Sequence, residues 1–223
     1  MNHTDVEVII PNQFMAERDR LDLIFERQHQ LMEKYEAIEH ANGFIHESIY
    51  KQPIDFDNRF AQARIKDFCW RVTEEIGEML EPHEDPHFLE ELSDVLHFMT
   101  ELCIMCNIKP DDIIGRSFHE ICRLESYWRG FMTEWQTPLW RHANPVEVLD
   151  IIRKLAEAAN CLKMKPWKQT TVLTDIPKFK LCIVGAYLKT LKVARKTGIT
   201  ADGLFRLYYA KSEVNNVRIR TKY

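Results

Sequence analysis

The sequence predicts an all-α helical bundle. Three observations carry that expectation: apolar residues recur at helical spacing in seven stretches, strand-like alternation is scarce, and prolines sit at or near the ends of those stretches. The stretches are residues 13–42, 58–81, 87–107, 110–135, 145–164, 177–197 and 201–217. Pro53 precedes the second, Pro110, Pro145 and Pro177 mark the starts of the fourth, fifth and sixth, and Pro138 and Pro166 follow the fourth and fifth.

The first stretch carries Gln28, His29, Gln30, Leu31 and Met32 near its centre. In the second, Ile65, Phe68, Cys69, Val72, Ile76 and Met79 form one apolar stripe, with Glu75 at its edge and Glu78 and Glu74 further round. In the third, Phe88, Leu92, Val95, Leu96, Met99 and Cys103 form the stripe, with Glu91 at the edge and Asp94 beside it. Pro82 and Pro86 place a loop between these two helices. The remaining four stretches follow the same helical period.

The acidic residues of the second and third stretches read EExxE (Glu74, Glu75, Glu78) and ExxD (Glu91, Asp94), with 12 residues between Glu78 and Glu91. If the two stripes pack together, Glu75, Glu78, Glu91 and Asp94 converge at the margin of the helix contact. Two carboxylates about 5 Å apart repel by roughly 3 kcal/mol at an effective dielectric of about 20, so four of them require a cation. An all-oxygen set favours Mg²⁺, with Mn²⁺ as a second choice, over zinc. The plain alternative is a solvated acidic helix face.

Charge is distributed unevenly. Val72 to Asp94 holds nine acidic residues and no Lys or Arg, whereas Lys189 to Tyr223 holds nine basic residues against Asp202 and Glu213. A small polyanion bridged to the acidic segment by metal would use both. The net charge of -4 and pI near 6.2 argue against a general nucleic-acid binder. No apolar run reaches the length of a membrane span, and the N-terminus lacks a secretory signal, so a cytoplasmic protein without membrane or nucleic-acid partners is expected.

Cys69, Cys103, Cys106, Cys161 and Cys182 lie in apolar helical patterns, as expected of reduced core thiols. Cys103 and Cys106 form a CxxC inside a helix with no second pair, and His83, Asp85 and His87 offer a second, weaker set of metal donors. The seven glycines are scattered singly, which excludes a P-loop and a dinucleotide fingerprint. Any phosphate must therefore be held by metal and side chains.

A faint internal repeat underlies this organisation. VTEEIGEMLEP lies on KLAEAANCLKM, and the segment from Phe88 to Ile114 lies on that from Phe179 to Phe205. Glu74, Glu78, Glu91 and Asp94 then correspond to Ala156, Asn160, Cys182 and Gly185, while Glu75 corresponds to Glu157. The first copy alone is expected to form a metal site. The chain reads as one domain over 1–223: an acidic half about 20–115, a connection about 116–145, and a degenerate half with a basic C-terminal segment about 146–223.

EExxE followed by ExxD resembles the all-α nucleoside triphosphate pyrophosphatases, which include MazG-like enzymes and the dimeric dUTPases. The C-terminal LFRLYYAKSEVNNVRIRTKY is similar to the last motif of the dimeric dUTPase branch, which also holds phage dCTPase/dUTPases. There the resemblance assigns Lys211, Asn215, Arg218 and Tyr223 to the triphosphate and nucleoside. NCLKMKPWKQT resembles a segment that brings Lys165, Trp167 and Lys168 near substrate. The likeness covers most of residues 20–223, weakest over 114–145. The branch carries a first-helix motif like QQxLN that reads uracil; here Met32 stands where its Asn would be, so Gln28 or His29 can contact a base without strict uracil selectivity, and an exposed helix face is the other reading.

The resemblance implies a homodimer that hydrolyses a deoxynucleoside triphosphate, dUTP or dCTP favoured, to its monophosphate and pyrophosphate. It implies attack of water at the α-phosphate, with Glu75, flanked by Glu74, as the base and Glu75, Glu78, Glu91 and Asp94 as metal ligands. The host cytoplasm, for a phage-encoded protein, is the expected setting. Two rivals stand beside this reading: a house-cleaning pyrophosphatase for another or modified nucleotide, and a non-catalytic helical interaction protein on the same scaffold.

Overall fold

The computed structural model describes residues 10, 18–43, 54–81, 85–115, 122–130, 145–165, 167, 169, 170 and 172–222. Eight helices follow in order: α1 (Arg20–Ala41), α2 (Arg59–Met79), α3 (Asp85–Met105), α4 (Pro110–Ile113), α5 (Arg123–Gly130), α6 (Pro145–Cys161), α7 (Ile176–Lys196) and α8 (Ala201–Thr221). No strand occurs among the described residues. None of the described helices is long and apolar enough to cross a membrane.

Helix starts are set by side-chain caps. Asp19 accepts from the Leu21 and Asp22 amides at 2.8 and 3.3 Å, which begins α1 at Arg20; the 13–17 end of the expected stretch lies outside the described residues. Asn58 caps α2 through the Phe60 and Ala61 amides, Asp175 caps α7 through Lys178, and Thr200 caps α8 through Gly203. The expected single helix over 110–135 is interrupted. Pro110–Ile113 forms one turn, Ile114 turns extended at φ -131°, and helix resumes at Arg123. Asp112 closes the short turn on itself by accepting from the Lys109 amide at 2.7 Å. The 131–135 end of that expectation lies outside the described residues.

α2 and α3 are joined by a short connection and pack as an antiparallel hairpin; α6 and α7 pack likewise, and α3 sits centrally against α1, α2, α7 and α8. The register repeat is visible in the backbone. The sequence alignment of Phe88 on Phe179 lays α3 on α7 from first residue to last, Asp85 on Ile176 and Met105 on Lys196. It also lays Asn107 on Gly198, and both have positive φ, 51° and 83°. Each ends its helix with a left-handed residue, the conformation Gly and Asn adopt at least cost. The next helices then start in register, Pro110 on Ala201. Apolar side chains from all eight helices close into one core, including Phe68, Val95, Met99, Phe179 and Tyr187.

Arg123 ties α5 to this frame. Its buried guanidinium reaches Asp19, Asp22 and Asp111 at 2.9, 2.7 and 2.5 Å, linking the start of α1, the turn α4 and α5.

Candidate metal and nucleotide site

The hairpin α2–α3 buries Val72, Ile76 and Met79 against Leu92, Val95 and Leu96 and leaves the flanking carboxylates at its edge. Carboxylate oxygens of Glu75, Glu78 and Glu91 lie within 4.8 Å of one another. Glu91 is 6% exposed, Glu75 is half-buried and Glu78 is exposed. Burial, followed by the charges of Asp94, Glu78 and Glu91, pushes the Glu75 carboxyl up to about 8, and Glu75 shares a hydrogen bond with Glu91. Burial also raises Glu91 and Asp94, with the Lys211 charge opposing in both cases. The cluster is short of positive charge. Its donor set is all carboxylate oxygen, so it fits a hard divalent cation of the Mg²⁺ or Mn²⁺ kind.

His87 extends the cluster. Its Nδ1 lies 3.3 Å from Glu91, and His87, Glu90 and Glu91 form a second set of converging donors. Its sequence companion His83 lies outside the described residues. Cys103 and Cys106 are fully buried and burial pushes both thiols far up, as for reduced core thiols.

The basic segment reaches this site through α8. Lys211 is held between Glu90 Oε1 at 2.9 Å and Asp94 Oδ2 at 2.6 Å, with its own pKa raised by Asp94 although burial opposes this. Asn215 and Arg218 follow at four and seven residues on the same side of α8, both half-exposed. The Arg218 charge acts on Asp94 and on the Tyr35 phenol of α1. Acidic α3 and basic α8 thus face each other.

The other anticipated residues are spread out. Glu74 is exposed and accepts from Trp70 Nε1 at 2.7 Å, outside the Glu75–Glu78–Glu91 trio. His29 is exposed and pairs with Glu33. The ammonium of Lys165 lies 5.6 Å from the ring centre of Trp167, itself 74% exposed. Lys168 and Tyr223 lie outside the described residues.

Gln28 is buried, and both ends of its amide are engaged: Nε2 donates to Glu101 Oε2 at 2.9 Å and Oε1 accepts from Tyr208 at 2.6 Å. His97 stacks on Tyr208 with ring centres 3.8 Å apart. Burial lowers its pKa to about 4, so the ring is neutral and Nδ1–H donates to the Ser93 carbonyl at 2.8 Å. Sequence reading did not single out Glu90, His97 or Glu101. Their signal is the spacing of Glu90, Asp94, His97 and Glu101, which marks a polar stripe on α3 beside its apolar one.

The second hairpin carries the matching positions. Glu157 pairs with Lys154 at 2.8 Å and with Arg153, and the Lys154 hydrogen bond leads in lowering its pKa. The Lys154 stem lies over Gly185, where a Cβ would meet it at 3.5 Å. Cys182 Sγ is 3.9 Å from Glu157.

A family model described as dUTPase matches residues 78–223, which includes Glu78, Glu91, Asp94 and the basic face of α8. No curated protein and no solved structure matches the chain.

Proposed function

The chain belongs to this dUTPase family, a nucleotide hydrolase of the dUTP type, and on that premise we propose that it hydrolyses a deoxynucleoside triphosphate, dUTP or dCTP, to the monophosphate and pyrophosphate. The observation that carries the reading is the convergence of Glu75, Glu78 and Glu91 within 4.8 Å, opposite a lysine and an arginine on α8.

Glu75, Glu78, Glu91 and Asp94 would hold Mg²⁺ or Mn²⁺, which when bound would polarise phosphate oxygens, acidify water and return Glu75 to its carboxylate form. Glu75 is then the base: it takes one proton from a water whose oxygen attacks the α-phosphorus, while the bond from that phosphorus to the bridging oxygen breaks and pyrophosphate leaves with the electron pair. Glu74, on the far side of Glu75, acts on the exposed face of α2 rather than on the reacting atoms. Lys211 holds Asp94 and Glu90 in place and, with Asn215 and Arg218, presents donors to the β- and γ-phosphates. Lys165, Trp167, Lys168 and Tyr223 supply the further substrate contacts that the resemblance to the family implies.

We further propose a cytoplasmic homodimer without membrane or nucleic-acid partners. Leu173 and Leu181, exposed at 74% and 72%, support burial against a second copy, and sedimentation would show a monomer if this is wrong.

Chromatography of products from a panel of deoxynucleoside triphosphates with Mg²⁺ tests the activity. Monophosphate and pyrophosphate in equal amounts are expected from dUTP or dCTP. Release of orthophosphate, or no release, overturns the reading.

A further inference from the structure

α3 runs from the acidic cluster along α1 and α2, packing against both. Asp94 and Glu101 are two turns apart on one side of that helix, about 10 Å along its axis at 1.5 Å per residue, close to the span of a nucleoside. Glu101 is only partly buried, and Gln28 fixes one of its two oxygens from α1. Gln28 is itself locked, since Tyr208 occupies its other end. The amide expected to contact a base thus also orients a carboxyl. Glu101 and Asp94 both act on Tyr35 of α1, as does Arg218, so this one phenol lies in the field of both the acidic site and Glu101.

Resting on the hydrolase reading above, we propose that Glu101 is the specificity-determining residue that reads ring position 4 of the pyrimidine. As a carboxylate it accepts from the 4-amino group of cytosine; as a carboxylic acid it donates to the 4-oxo group of uracil. One side chain thus serves two bases, and proton occupancy selects between them.

The surroundings keep both forms accessible near neutrality. Arg64 and Arg71 of α2 favour the charged form and Glu39 of α1 opposes it, while Tyr35 of α1 and Tyr208 of α8 stand within its field. Arg64 is committed to Glu39 through contacts of 2.5 and 2.7 Å, so no cation pairs with Glu101 among the described residues. Burial leads, and Glu101 rises to about 7.

The test is the ratio of kcat/KM for dCTP to kcat/KM for dUTP, measured on the full chain with Mg²⁺ from about pH 6 to about pH 8. Proton loss at the metal site acts on both substrates alike and cancels in the ratio, and neither base titrates in that window. The ratio should rise about a hundredfold with pH, because over that window the ionised fraction of a group titrating near 7 rises about tenfold while its protonated fraction falls about tenfold. Glu101→Gln, which keeps shape and can donate or accept, should flatten the profile while retaining the unfolding temperature. A carboxyl that only braces Gln28 would move both substrates together. A flat wild-type ratio, or an unchanged slope in E101Q, overturns the proposal. If no triphosphate is hydrolysed, the activity reading fails separately, and calorimetric affinities for dCMP against dUMP over the same pH range still decide the role of Glu101.

Discussion

The two helix hairpins share a backbone register and differ in how they treat charge. In α2–α3, Glu75 faces Glu78, Glu91 and Asp94, and its pKa rises. In α6–α7, the matching Glu157 faces Lys154 and Arg153, and its pKa falls. Lys154 lies against Gly185, the position of Asp94, so the second hairpin carries its own cation beside the matching carboxylate. The comparison shows that the carboxylates are not needed for the fold. The second hairpin closes without them through Phe179, Ile183, Ala186 and Leu155, and on the function proposed above a divalent cation offsets their repulsion in the first.

Removing that requirement should have the largest effect. Glu75→Gln and Asp94→Asn keep side-chain size and delete charge, and each is expected to lower turnover by at least about a hundredfold while the metal-free unfolding temperature holds or rises. Steady-state kinetics with calorimetry on the same samples checks both halves. Near-normal turnover in both variants would remove α2–α3 as the catalytic hairpin.

Next in size is the basic face of α8. Lys211→Ala and Arg218→Ala each delete a charge-assisted donor of roughly 1.5–3 kcal/mol, which predicts about a tenfold to hundredfold drop in kcat/KM. A phosphate contact carries no information about the base, so the drop should be similar for every accepted nucleotide. A change of base preference in Arg218→Ala with efficiency untouched would contradict this assignment.

Much of this contrast was legible in the sequence. Stripes of period 3.6 gave α2, α3, α6 and α7, and the repeat alignment predicted which carboxylates would lack counterparts. Other features were not legible, for physical reasons. Gln28 meets Glu101 and Tyr208 across 73 and 180 residues, contacts that local pattern cannot encode. The charge asymmetry between the acidic and basic segments was visible, but the pairing of Lys211 with Asp94 depends on α8 crossing α3. The break after Ile113 was missed because apolar spacing continues through it.

Stability should report the same difference at smaller amplitude. Glu75 titrates near 4.5 when unfolded and near 8 when folded, so between those values the native state binds the extra proton. Its contribution is therefore present at low pH and lost as pH rises through about 5 to 8. Without metal, wild type should lose unfolding temperature across that window relative to Glu75→Gln, and added Mg²⁺ should remove the gap by binding the ionised form. Differential scanning fluorimetry with EDTA and with Mg²⁺ reads this directly. Parallel curves for wild type and variant in EDTA would show that Glu75 carries no raised pKa.

The smallest effect belongs to the second hairpin. Glu157→Gln removes the one charge that survives from the acidic set, but Ala156, Asn160, Cys182 and Gly185 offer no carboxylates to complete a cage, and Lys154 already occupies the attraction of Glu157. Turnover should stay within about twofold of wild type, and the unfolding temperature within about 2 °C, as expected for an exposed ion pair. Anomalous scattering from Mn²⁺ should show one cluster per chain, at α2–α3, whether it holds one ion or two. A second, independent cluster at Glu157, or a loss of turnover in Glu157→Gln comparable to that in Glu75→Gln, would mean that α6–α7 is a working site and that its internal lysine is displaced by metal.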